Sequence, residues 1–109
     1  MAHPDPAFDA AHPSGRVLFR SCRGGYLDSV ILTEAALDAD ADTLAEAILR
    51  TADVSYLKAL MAVRAEIIAA GHSPSAELAG PADLRAATRR LAEHRLGPEA
   101  DRVGGVSQY

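Results

Sequence analysis

Short apolar runs occupy the chain before residue 34, and apolar positions at helical spacing dominate after residue 42. RVLFRSC at 16–22 and YLDSVILT at 26–33 are rich in Val, Ile, Leu and aromatic residues, which predicts two strands. AFDAAHPSG at 7–15 gives a weaker first strand ending in a turn at Pro13-Ser14-Gly15. TLAEAILRTADVSYLKALMAVRAEIIAA, from Thr43 to Ala70, predicts one long helix, with Thr43 and Glu46 at capping-box spacing and Gly71 as its stop. PADLRAATRRLAEHRL at 81–96 predicts a shorter helix with Pro81 in its first turn. The order describes an α+β domain: a small antiparallel sheet of two or three strands, one long helix, and a shorter C-terminal helix. A single domain is expected over 1–98, with 1–6 (MAHPDP) as a loose lead-in and 99–109 as a disordered, Gly-containing tail.

Gly24-Gly25, between the two stronger strands, can supply the positive φ angles of a two-residue hairpin turn. Pairing outward from that turn sets Arg23 opposite Tyr26, Cys22 opposite Leu27, Phe19 opposite Val30 and Val17 opposite Leu32. Directly opposed residues share a face. One face then holds Val17, Phe19, Tyr26, Val30 and Leu32. The other holds Leu18, Cys22, Leu27 and Ile31, with Arg16, Arg20 and Thr33 among them. Both faces are apolar, and one long helix can cover only one of them.

In that helix Ala45, Ile48, Leu49, Ala52, Tyr56, Leu60, Val63 and Ile67 form one stripe, expected to pack on the sheet. Val54, Leu57, Met61 and Ile68 form a second, which Leu84, Ala87, Leu91 and Leu96 of the shorter helix are placed to cover. Asp38, Asp40 and Asp42 precede the long helix and suit its positive end.

Composition narrows the function. A chain of 109 residues with 49% hydrophobic and 24% charged residues has enough apolar content for one modest core. Aromatics are 5% and Trp is absent, so Ala, Leu, Ile and Val must build that core. The net charge of −4 opposes a function carried by phosphate-backbone contacts, which favour a basic surplus. A single cysteine, Cys22, excludes an intrachain disulfide and fits a reducing compartment. The N-terminal Pro and Asp residues do not read as a signal peptide, and no run approaches the ~20 apolar residues of a membrane span. The reading is cytoplasmic.

Candidate chemistry is sparse. Asp38-Ala39-Asp40-Ala41-Asp42 resembles the opening of a calcium loop, but Thr43 and Leu49 stand where that loop needs Gly and a bidentate Glu. His3, His12, His72 and His94 are scattered, with no pair at metal-ligand spacing on one element. Cys22 has no assigned base and reads as a small apolar side chain. The glycine pair joins strand to strand, whereas phosphate-binding glycine loops lead from strand to helix. No catalytic residue, cofactor or metal is expected, and the chain reads as a non-enzyme. Arg16, Arg20 and Arg23 cluster on the hairpin, and Arg85, Arg89, Arg90 and Arg95 on the last helix.

Gly15, the strand beginning at Val17, the glycine turn, "SVILT", and "LAEAILRTADVSYLKA" after an acidic linker occur in a recognisable order. Over roughly residues 10–60 this resembles the YbaB/EbfC-like family, and within it the actinobacterial EspH-like branch associated with type VII (ESX) secretion. The resemblance implies a homodimer. Leu18, Leu27 and Ile31, with Arg16 and Arg20 around them, are then the expected self-association or partner contact; the competing expectation is that residues 7–12 or the last helix fold back over that face within one monomer. Full burial of those three apolar side chains would contribute roughly 4–9 kcal/mol, at about 1.5–3 kcal/mol each, before association costs. A cytosolic accessory factor that binds a secretion-system protein is the function this implies. The alternative carried by the same resemblance is a nucleoid-associated DNA binder using Arg85, Arg89, Arg90 and Arg95. No Trp is present for a Trp-x-Gly turn, and neither Tyr26 nor Tyr56 is followed four residues later by an acid, so the chain does not read as a secreted substrate itself.

Overall fold

The computed structural model describes residues 5–97. Its regular elements are β1 (Ala10–Ala11), β2 (Val17–Ser21), β3 (Leu27–Leu32), α1 (Ala41–Ala69) and α2 (Pro81–Glu93), with 3-10 turns at Pro6–Phe8 and Glu34–Asp38. The sheet is antiparallel in the order β1-β2-β3. This is the expected α+β arrangement. The first strand is shorter than the 7–15 run suggested, because Asp5 caps a 3-10 turn that takes up Pro6–Phe8. The expected tail lies beyond the described residues.

The far half of the hairpin has the expected register, with Val17 opposite Leu32 and Phe19 opposite Val30. The near half does not. Gly24 and Gly25 both have positive φ, but they belong to a three-residue loop, 23–25, closed by the Cys22 N–H donating to the Tyr26 carbonyl at 2.6 Å. Pairing therefore slips by one, and Ser21 lies opposite Leu27. A bulge at Asp28 absorbs the slip and restores Arg20 opposite Ser29.

The long helix starts earlier than expected. Asp40, not Thr43, is its N-cap, accepting from both the backbone N–H (2.9 Å) and the hydroxyl (2.8 Å) of Thr43. Thr43, which has the capping-box spacing in the sequence, lies inside the first turn as the residue that Asp40 holds. The sheet-facing line of α1 is shifted: Ala47, Thr51 and Ser55 are buried, Ile48 and Ala52 of the expected stripe are half-buried against the Val17–Phe19 cluster, and Ala45, Leu49 and Tyr56 are exposed. Small and hydroxylated side chains allow α1 to approach β2 closely. The Ser55 hydroxyl donates to the Phe8 carbonyl (2.7 Å) and lies 2.5 Å from the Ser21 hydroxyl, and Thr51 satisfies its own hydroxyl on the Ala47 carbonyl.

Two apolar clusters result. Ala10, Val54, Leu57, Ala87 and Leu91 join β1, α1 and α2, as the second helical stripe predicts. Val17, Phe19, Ala47 and Leu96 form the other. Leu96 lies beyond the end of α2 and plugs the space between sheet and α1, where a place on the α1–α2 seam was expected.

Candidate interaction surface

Close packing of α1 over β1 and β2 leaves β3 at the open side of the sheet. Leu27 (58% exposed), Val30 (43%), Ile31 (54%) and Leu32 (40%) all face water to a large degree, in a strand with only one charge, Asp28. Val30 and Leu32 share the helix-facing side with Phe19 and Val17, yet α1 does not cover them.

Leu27 belongs to that same side. It lies opposite Ser21, which is buried against Ser55 of α1, so the slip and bulge move Leu27 off the face that sequence pairing assigned to it. Tyr56 extends the exposed strip onto α1. A side-chain carbon added at Gly25 would fall 2.6 Å from the Tyr56 ring, which places that ring against the β2–β3 loop. Leu49, two helical turns earlier on the same line, is exposed as well.

The opposite face of the sheet carries Ala11, Leu18 and Ile31 in one row across β1, β2 and β3. Leu18 is half-buried, and Ala11 and Ile31 are exposed. Of the two arginines expected beside them, Arg20 is committed within the chain: its guanidinium donates to both carboxylate oxygens of Asp9, each at 2.8 Å. This contact holds the Asp9 carboxyl below the usual carboxylate range. Arg16, half-buried, follows the Pro13-Ser14-Gly15 turn, where its backbone N–H donates to the Ser14 hydroxyl at 3.1 Å. Leu18 and Ile31 thus remain together as predicted, Leu27 moves to the other side, and Arg20 is an internal tie.

Arg85, Arg89 and Arg90 on α2, and Arg95, which lies beyond its end at Glu93 and not on the helix as expected, are all exposed but not equivalent. Arg90 approaches Asp53 at 3.7 Å, and Arg95 donates to the carbonyls of Ala92 and His94 at 2.9 and 2.8 Å. Arg85 and Arg89 have no such partner among the described residues.

One constellation had no sequence signal. His12 and His94, 82 positions apart, meet with Nε2 and Nδ1 separated by 3.0 Å. The Ser14 backbone N–H donates to His12 Nδ1 at 3.1 Å, so the His12 proton sits on Nε2 and points at His94. The pair is a structural hydrogen bond that ties the turn after β1 to the end of α2. Among the described residues, no group of three or more His, Cys, Asp or Glu side chains could hold a metal ion, and Cys22 is buried. No helix among them is long and apolar enough to cross a membrane.

A family model described as a protein of unknown function (DUF2694) matches residues 1–97, which includes every described residue. The chain belongs to the DUF2694 family. Relatives from Mycobacterium bovis and from two strains of Mycobacterium tuberculosis, each described as an uncharacterized protein, are 60% identical over 96 residues. The aligned stretch covers 88% of this chain and 95% of each relative. Neither the DUF2694 description nor the relatives' descriptions mention YbaB-like or EspH-like proteins. No solved structure matches.

Proposed function

We propose that this DUF2694 protein is a non-enzymatic interaction module that self-associates through β3, forming a homodimer whose work is to bind a protein partner. The observation that carries this reading is β3 itself. It is an outer strand with apolar side chains exposed on both of its sides, and such edges are ordinarily shortened, charged or covered. Leu27, Val30, Ile31 and Leu32 each have about half their surface still to bury, so covering them would contribute roughly 3–6 kcal/mol before association costs. Leu18 extends the patch across the sheet.

The resemblance of residues 10–60 to EspH-like proteins supports placing the module in the cytosol as an accessory factor for type VII secretion, and mycobacterial relatives are consistent with it. A nucleoid-associated role draws less support, because Arg90 and Arg95 are engaged within the chain and the net charge is −4.

Sedimentation equilibrium tests the core of the proposal. Wild-type protein is expected at twice the monomer mass, and Ile31→Glu at the monomer mass with unchanged far-ultraviolet circular dichroism. An unaltered mass in the variant would remove β3 from the interface and, with it, this reading.

A further inference from the structure

The helical hairpin carries a second surface that shares no residue with β3. Between the last turns of α1 and the first turns of α2 lies a trench of about 430 Å³, lined by Met61, Ala65, Ile68, Pro81 and Leu84. Its only charged lining residues are Arg64 and Arg85. Among the described residues neither guanidinium forms an ion pair or hydrogen bond. Nearby acids are committed elsewhere: Asp83 accepts from the Gly80 backbone N–H at 2.8 Å, and Glu66 is held by Arg23. In a chain of net charge −4, this apolar trench is therefore locally positive and uncompensated.

We infer that the trench receives an acidic amphipathic helix from a partner protein, whose apolar residues enter between α1 and α2 while its carboxylates meet Arg64 and Arg85. The trench is open, since Ala65, Ile68, Pro81 and Arg85 are all exposed. A small amphiphile would stay half in water there, whereas ligand pockets bury most of their ligand. An amphipathic helix brings its own polar side to that water. From Met61 to Ile68 α1 rises about 10 Å, enough for two turns of guest helix with anchors at i, i+3 or i+4, and i+7. Arginine also suits the guest's carboxylates, because its planar fork can engage both oxygens at once.

The test uses the full chain and a fluorescein-labelled synthetic helical peptide with leucines at helical spacing and glutamates between them. Fluorescence anisotropy should show saturable binding that weakens by about tenfold or more in the Arg64→Glu/Arg85→Glu variant and falls with added salt. Amide shifts in nuclear magnetic resonance spectra should concentrate at Met61, Ala65, Ile68 and Leu84. Equal binding of the same peptide with lysine in place of glutamate overturns the inference, as do shifts centred on the sheet. Decanoate saturating those amides while the peptide leaves them unmoved would also overturn it, since the occupant would then be a small amphiphile. The Ile31→Glu variant should bind the peptide as wild type does, and the arginine variant should sediment as wild type does. Failure of one surface is thereby separable from failure of the other.

Discussion

Replacing Ser55 with alanine removes the centre of a buried relay that joins the Pro6–Phe8 turn, β2 and α1. Ser55 donates to the Phe8 carbonyl at 2.7 Å, so the short 2.5 Å contact to Ser21 must be donated by Ser21. Both serines are buried, out of reach of bulk water. The Ser55→Ala variant therefore orphans a carbonyl and a hydroxyl together. At about 1–3 kcal/mol per unsatisfied buried group, with some relaxation, the loss is expected at about 2–4 kcal/mol. Ser21→Ala leaves the Ser55–Phe8 bond intact and should lose only about 1 kcal/mol. In the Ser55→Ala background, Ser21→Ala removes an orphaned donor and should be neutral or stabilising. Urea denaturation followed by circular dichroism, at one low protein concentration so that association does not contribute, supplies all four corners of the cycle. Ser55→Ala alone should lower Tm by roughly 10–20 °C. Additive single substitutions, or a Ser55→Ala variant within about 0.5 kcal/mol of wild type, would refute the relay and the close α1–β2 approach built on it.

Two further outcomes follow from the hairpin and the sheet. Gly25→Ala should destabilise by at least about 1 kcal/mol more than Gly24→Ala, since both have positive φ but the new carbon at Gly25 falls 2.6 Å from the Tyr56 ring, whereas at Gly24 it meets the Tyr26 ring only at an ordinary 3.4 Å; equal losses in thermal melts would contradict the placement of Tyr56. Asp9 is held below the usual carboxylate range by Arg20, so its stabilisation is present above about pH 4 and is lost as pH falls through the depressed folded value. Asp9→Asn should be less stable than wild type near neutrality, and the two stability curves should converge as pH falls below about 4; curves that stay parallel would show that the ion pair contributes nothing.

The elements with strong periodic signals were legible in the chain. Strands rich in branched side chains, the long helix and its α2-facing stripe all appear where the pattern places them, and Leu18 with Ile31 was correctly assigned to one face. Leu27 was not, because Gly24-Gly25 satisfies a three-residue loop as readily as a two-residue one, and one extra loop residue reverses every side chain up to the compensating bulge. The sheet-facing side of α1 is legible only in part, since Ile48 and Ala52 of the apolar stripe do pack against the Val17–Phe19 cluster. Hydrophobic spacing points to Leu49 and Tyr56, whereas the observed contact uses Ala47, Thr51 and Ser55, whose hydroxyls count as polar in a sequence and as satisfied in the fold. The His12–His94 bond and the burial of Leu96 join residues about eighty positions apart, and no local pattern encodes such meetings.

Leu96 has a practical bearing on where this molecule can be cut or fused. It acts as a stopper inserted from the far end of the described chain, touching Val17, Phe19 and Ala47, and the DUF2694 match ends one residue later at 97. Truncation at Glu93 would keep every helix yet withdraw that stopper, leaving a void beside the first long strand. Any appended label belongs after Gly97, and a shortened version ending at the last helical turn should be read as a damaged domain rather than a minimal one.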